Sequence, residues 1–266
     1  MTSEQPDRRA LRDELADVLD AAQTGVRDVE SLSDTSAFDL DDAYAIQEAL
    51  TARRLARGER LVGVKMGFTS RAKMAQMGVA EVIVGRLTDA MHIGDGGEVD
   101  LSRFIHPRIE PEVAYRVGPG FDLSDPDSDL AEHVDAIAPA MEIIDSRYRD
   151  FRFTHEDVVA DNTSAAAFVV GPWQPVVDAA EAAVRISVGE QESTGSTAAI
   201  LDDPMNAVRE AQRMCRKRGL ALVPGDVVLA GAATAALPLG PVHAECEIEG
   251  LGTVSVSGVR GLEVQS

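Results

Sequence analysis

The sequence predicts an α+β protein: a helical segment over residues 1–60, then a mainly β domain over residues 61–266. Three observations carry that expectation. Apolar residues recur at helical spacing in two early stretches. Beyond residue 60 they fall into short runs bounded by Gly, Pro and Asp, the pattern of strands and turns. A length of 266 residues with 45% apolar content is ample for one large core.

Composition removes several classes of function. A net charge of -20 argues against a nucleic-acid or anionic-membrane partner. No apolar run approaches the ~20 residues needed to span a bilayer. Met1 to Glu14 is polar and charged, so a secretory signal is not expected. Cys215 and Cys246 stand far apart without metal-ligand spacing, which suits a reducing cytoplasm and no disulfide.

Residues 7–22 place Leu11, Leu15, Val18 and Leu19 at helical spacing. Thr24 to Phe38 reads as a polar loop. A second helix is expected from Asp41 or Asp42, capped by that pair, to Arg57. Arg60 to Phe68 reads as a buried strand with Lys65 amid its apolar residues. A buried lysine is costly unless paired or working, so Lys65 either snorkels from a strand end or serves a site. A short helix with Ala72, Met74 and Met77 should end at Gly78, its methionines packing. Val84 to Met91 reads as strand and turn, and Gly94 to Gly97 as a turn.

The stretch Ile105 to Val117 is the most informative in the chain. In an extended strand Glu110 and Glu112 lie on one face, with Ile109, Val113 and Tyr115 on the other. Carboxylates that close repel unless a cation lies between them; the alternative is a solvated edge with two idle glutamates. Pro111 cannot donate to a ladder, which places the strand at an edge or a bulge. Asp122 to Asp129 is an acidic loop leading to a helix at 129–134. In the next strand, Ile137 to Ser146, Glu142 interrupts an apolar run. It must be paired, metal-bound or neutral, or else face a polar seam between sheets.

Arg147 to Phe153 is dense in arginine and aromatics. Arg147 or Arg149 could grip a carboxylate, or both could form surface salt bridges. Asp161-Asn162, in the stretch Val158 to Ser164, is a turn that either faces a pocket or bonds to itself, before a strand at Ala165 to Gly171. Strands follow at 182–188 and 190–195, then a helix from Pro204 to Arg218 stopped by Gly219. Pro224-Gly225-Asp226 turns into the strand Val227 to Ala230. The loop Gly231 to Thr234 is small enough for a ligand to approach, or for tight packing. The last strands are Ala244 to Ile248 and Gly252 to Val259.

Glu110, Glu112 and Glu142 are hard oxygen ligands with no His/Cys cluster beside them. That donor set favours Mg²⁺ or Mn²⁺ over Zn²⁺. Ile109-Glu110-Pro111-Glu112, followed by Pro139-Ala140-Met141-Glu142-Ile143, resembles the metal motif of the fumarylacetoacetate hydrolase superfamily. Lys65-Met66-Gly67-Phe68-Thr69-Ser70-Arg71-Ala72-Lys73-Met74 and Val159-Ala160-Asp161-Asn162 resemble its hydratase/decarboxylase branch. Ser146 to Phe153 is more similar to the decarboxylases of that branch.

The resemblance, which spans Ala43 to Val259, implies a mixed, mainly β sandwich or roll with helices outside. It implies Mg²⁺ or Mn²⁺ held by Glu110, Glu112 and Glu142. It also implies catalytic roles for Lys65, Arg147 and Asp161, and substrate contacts from Thr69, Ser70, Asn162, Thr163 and Thr234. The activity implied is decarboxylation of 2-oxohex-3-enedioate, a small 2-oxo dicarboxylic acid, with hydration of 2-hydroxypenta-2,4-dienoate as the alternative. A cytoplasmic homo-oligomer, complexed with a paralogous hydratase or decarboxylase, is the further expectation. Leu229 to Thr234 departs from the family pattern in being richer in alanine, which bears on substrate preference.

Overall fold

The computed structural model describes residues 8–71, 74–75 and 78–261. The short helix expected around Ala72 and Met77 lies partly outside the described residues. Helices α1 (Arg8–Thr24) and α2 (Leu40–Ala56) form the N-terminal pair. α1 buries Leu15, Ala16, Leu19 and Ala22, whereas Val18 sits at the rim, 36% exposed. The cap of α2 lies earlier than the sequence suggests. Asp39 is the N-cap, and it closes a reciprocal capping box with Asp42. Arg12 pairs with Asp42 and Arg57 with Asp20, tying the two helices together.

Two sheets make the β domain. The larger contains β1 (Leu61–Gly67), β2 (Ile83–Thr88), β3 (His92–Ile93), β5 (Arg108–Val117), β6 (Val134–Ile144), β7 (Ala165–Val170) and β10 (Val227–Ala232). Its order is β2-β1-β10-β5-β6-β7-β3, with β11 (Leu237–Pro238) also on β5. The smaller runs β4 (Gly97–Asp100), β13 (Gly252–Val259), β12 (His243–Ile248), β8 (Ala183–Val188) and β9 (Gln191–Ser196). The core between them takes Val113, Tyr115 and Met141 from the larger sheet, and Ile186, Cys246 and Val256 from the smaller. Leu15, Leu19, Ile46 and Leu50 of the helices belong to the same core. The remaining helices are α3 (Leu130–His133), α4 (His155–Ala160) and α5 (Pro204–Arg218), the last stopped by Gly219 in the left-handed conformation. Among the described residues no helix is long and apolar enough to cross a membrane.

β5 is an interior strand, flanked by β10 and β6, so of the two sequence alternatives the bulge holds and the edge does not. The β10–β5 register shifts between Leu229 and Ala232. Pro111 lies at that irregularity, and its carbonyl accepts the Ala233 N–H at 3.0 Å. The donor that proline lacks therefore falls where the ladder is already broken.

Candidate active site

The site grows from the pairing of β5 with β6. Glu110 and Glu142 are direct partners in that antiparallel register, and Glu112 lies two residues along on the same face. Carboxylate oxygens of the three residues all lie within 4.8 Å of one another. All three side chains are buried: Glu112 and Glu142 are 0% exposed and Glu110 7%.

Lys65 completes the cluster from β1. On a flat sheet, three strand steps would separate β1 from β6 by roughly 14 Å. Lys65 Nζ nevertheless lies 2.7 Å from Glu142 Oε2, so the sheet curls around the cluster. The same ammonium donates to the Thr163 carbonyl at 3.3 Å. That carbonyl is presented by a strained turn: Asn162, Thr163 and Ser164 all have positive φ, at 49°, 55° and 60°. Gly85, the β2 partner of Lys65, makes room for the turn, since a Cβ there would lie 2.8 Å from the Asn162 carbonyl. Gly231, at φ +121°, is needed for a similar reason, because a Cβ would collide with the Thr69 side chain, 2.8 Å from its Cβ and closer to its hydroxyl. Its N–H donates to Glu112 Oε2.

Burial, reinforced by Glu142 and Glu110, pushes the Glu112 carboxyl well above the usual range, against the pull of Lys65 and the Gly231 N–H. For Lys65, burial disfavours the ammonium, but Glu142, Glu110 and Glu112 outweigh it and hold the pKa above the ordinary lysine value. Glu112 Oε1 is buried with no hydrogen-bond partner among the described residues. An unpaired buried carboxylate oxygen beside two more carboxylates is a costly arrangement that a divalent cation relieves. The donors, all hard oxygens, fit Mg²⁺ or Mn²⁺.

A cavity of about 380 Å³ opens beside Lys65 and Glu110. Thr69, Ser70, Thr163 and Ser164 supply polar groups to its wall. The Thr163 and Ser164 hydroxyls are buried without a hydrogen-bond partner among the described residues. Phe68, Ile83, Ile144, Phe151, Phe153 and Val158 form its apolar side.

Residues 60–257 match the family model for the fumarylacetoacetate (FAA) hydrolase C-terminal domain. The chain belongs to the fumarylacetoacetate hydrolase family. This family member is 46% identical over 246 residues to a 4-oxalocrotonate decarboxylase of Pseudomonas sp., covering 91% of this chain and 96% of the relative. It is 37% identical to a 2-keto-4-pentenoate hydratase of Paraburkholderia xenovorans, covering 91% of this chain and 93% of the relative. Among solved structures it resembles the 4-oxalocrotonate decarboxylase from Pseudomonas putida G7, complexed with magnesium and adipate. That match has a TM-score of 0.86 and 35% identity, and covers 94% of this chain and 98% of the other.

In this fumarylacetoacetate hydrolase family member, Lys65, Glu110, Glu112 and Glu142 converge, and Thr69, Ser70 and Thr163 line the cavity. Five other residues singled out in the sequence lie elsewhere. Arg147 is 1% exposed and its guanidinium is consumed internally. It donates to Asp161 and to the carbonyls of Asp145 (2.7 Å) and Ala165 (3.3 Å). Asp161 is the buried counterpart of that arginine; burial raises its pKa to about 6 against the pull of Arg147. The Asn162 amide is spent on the backbone of Arg86. Thr234 donates to the Ala235 carbonyl at 3.1 Å and is not on the cavity wall. Arg149 forms surface salt bridges with Asp28 and Glu30, the second of its two sequence alternatives.

Sequence reasoning missed Arg108 and Ser164 as wall residues, and the Gly231 N–H as a partner of Glu112. Arg108 had a signal, since it precedes Glu110 by two and so shares its strand face. Ser164 depends on three successive left-handed residues, and a backbone N–H leaves no mark in a sequence.

Proposed function

We propose that this protein is a divalent-metal-dependent decarboxylase of 4-oxalocrotonate (2-oxohex-3-enedioate), releasing CO₂ and 2-hydroxypenta-2,4-dienoate in the degradation of catechol-type aromatics. One observation carries the reading. Lys65 and Glu110 line the polar end of a cavity, with Glu112 and Glu142 buried directly behind them, and aromatic and aliphatic side chains form its apolar side. The names of the relatives supply the substrate class.

Held by Glu110, Glu112 and Glu142, the cation supplies Lewis-acid stabilisation of charge on the substrate's oxo end. The rest falls to the chain itself. Breaking the bond to the distal carboxylate sends its electron pair along the conjugated chain to the 2-oxo oxygen. Lys65, kept as an ammonium by its acidic neighbours, donates a hydrogen bond or a proton there. Glu142 and the Thr163 carbonyl hold its Nζ in place. The hydroxyls of Thr69, Ser70 and Thr163 orient the oxo acid. Phe68, Phe151 and Phe153 give the substrate's conjugated chain an apolar wall, which suits the loss of charge as the distal carboxylate departs as neutral CO₂. Arg147 and Asp161 act as positioning residues: their pair fixes the loop entering the 162–164 turn.

The chain covers the hydratase relatives as fully as the decarboxylases, which keeps hydration of 2-hydroxypenta-2,4-dienoate to 4-hydroxy-2-oxopentanoate as the second reading. Purified protein supplied with 2-oxohex-3-enedioate and Mg²⁺ should release CO₂. No release, with hydration of the five-carbon dienol, reverses the assignment. Inactivity towards both makes the chain a supporting subunit. The reading extends to a cytoplasmic homo-oligomer that associates with a paralogous hydratase. Two buried free cysteines are in keeping with that compartment.

A further inference from the structure

Arg108 is, besides Lys65, the basic side chain on the wall of the cavity among the described residues. Lys65 is already engaged with Glu142, whereas Arg108 makes no side-chain hydrogen bond or ion pair to another described residue. Its guanidinium carbon lies 5.2 Å from the centre of the Phe151 ring, which braces a cation without neutralising it. A charged group at a cavity mouth with its donors uncommitted is suited to an anion.

Position says which anion. Arg108, Glu110 and Glu112 occupy alternate places on β5 and face the same way. They also form a depth series: Glu112 is 0% exposed, Glu110 is 7%, and Arg108 is on the surface. Neighbours in that row are separated by about 6.6 Å along the strand. This is close to the span between the terminal carbons of an extended six-carbon diacid. With the oxo-acid end at the carboxylate triad and Lys65, the other end of such a molecule reaches the Arg108–Phe151 pair.

We infer that Arg108 recognises the distal carboxylate of the substrate and sets a preference for 2-oxo dicarboxylic acids over 2-oxo monoacids. The inference rests on the decarboxylase reading for the identity of the substrate, though not for the preference itself. The contact is one exposed cation rather than a closed clamp, and this matters chemically. The carboxylate loses its charge as CO₂ leaves, so the pair is stronger in the ground state than in the transition state. Arg108 therefore assists capture, and its loss is felt in KM rather than in kcat.

The test uses the full chain with Mg²⁺ and compares wild type, Arg108→Gln and Arg108→Lys. Calorimetric affinities for 2-oxohexanedioate and 2-oxopentanoate are measured alongside turnover of 2-oxohex-3-enedioate. Wild type should bind the diacid about tenfold or more tightly than the monoacid, the scale of one charge-assisted hydrogen bond. Arg108→Gln should abolish that ratio and raise KM about tenfold, and Arg108→Lys should restore part of both. Equal wild-type affinities overturn the inference, as does a ratio that Arg108→Gln leaves intact, including one accompanied by a fall in kcat. Absence of CO₂ release by wild type removes the decarboxylase reading alone, because the two affinities still decide the role of Arg108.

Discussion

Glu112 has no exposed surface, one oxygen on the Gly231 N–H, and the other without a hydrogen-bond partner among the described residues. Two more carboxylates stand beside it. Removing one charge should have opposite effects with and without metal. Glu112→Gln relieves repulsion, so in EDTA its thermal midpoint should equal or exceed that of wild type. Its Mg²⁺ affinity, read by calorimetry, should fall by about two orders of magnitude, and activity with it. Near-normal turnover in Glu112→Gln, Glu110→Gln or Glu142→Gln would remove the triad from the chemistry. Lys65 acts at a different point. Lys65→Met should cut turnover by about 10²- to 10⁴-fold, the usual worth of a placed proton donor, while Mg²⁺ still binds. An unchanged rate would show the ammonium to be structural. Lys65 was visible in the sequence because it lies amid apolar residues at a cost that must be compensated, and Glu112 because it shares a strand face with Glu110.

The segment from Arg149 to Phe153 brings two aromatic rings to the cavity, and Asp150 and Phe151 in it hold positive φ. Such a segment needs outside support. It comes from the N-terminal loop: Val29 pairs with Tyr148, and Asp157 of α4 accepts from the Ser33 N–H (3.0 Å), the Ser33 hydroxyl (2.6 Å) and the Ser31 hydroxyl. Burial works against the Asp157 carboxylate, but the hydroxyls of Ser31 and Ser33 and the N–H groups of Thr154 and Ser33 hold its pKa below the ordinary value. A depressed folded pKa stabilises fully above the unfolded pKa of about 4, and that contribution fades as pH falls below it. Asp157→Asn should cost about 1–3 kcal/mol in urea unfolding at pH 7. The gap to wild type should narrow below about pH 4. A gap independent of pH would mean that the clasp depends on shape rather than charge. The helices and strands around this segment were legible from periodicity, but the clasp was not. Its donors lie more than a hundred residues from its acceptor, and local spacing carries no trace of that.

Across the described residues, one core joins the N-terminal helices to both sheets, and the carboxylate triad forms only when β5 and β6 are in register, with β10 adding the Gly231 N–H. A cation that binds this assembly has no comparable site in the unfolded chain, so it must stabilise the fold by mass action. At a Mg²⁺ concentration of 100 times Kd the gain is about 2.7 kcal/mol, or roughly 5–10 °C in Tm for a domain of this size. Scanning calorimetry with Mg²⁺ and with EDTA checks this, and a Tm indifferent to the ion would count against a metal centre. The net charge of -20 does not oppose an anionic substrate at the site. A divalent ion with Lys65 offsets the three local carboxylates, and the local field dominates at such distances.

By itself the sequence determined the longer helices and strands and, through spacing and family resemblance, pointed to the four side chains of the charged cluster. Hydrophobic period and the cost of burying charge are both local properties. Only the tertiary structure decided how the remaining polar groups are used. Arg147 and Asp161 satisfy each other and nearby backbone, Asn162 is spent on the backbone of Arg86, and Arg108 stands at the cavity mouth without a side-chain hydrogen bond or ion pair to another described residue. Lys65 and Glu142 meet across three strand steps because the sheet curls. A hydrogen bond belongs to whichever segments the fold brings together, and no spacing along the chain records that choice.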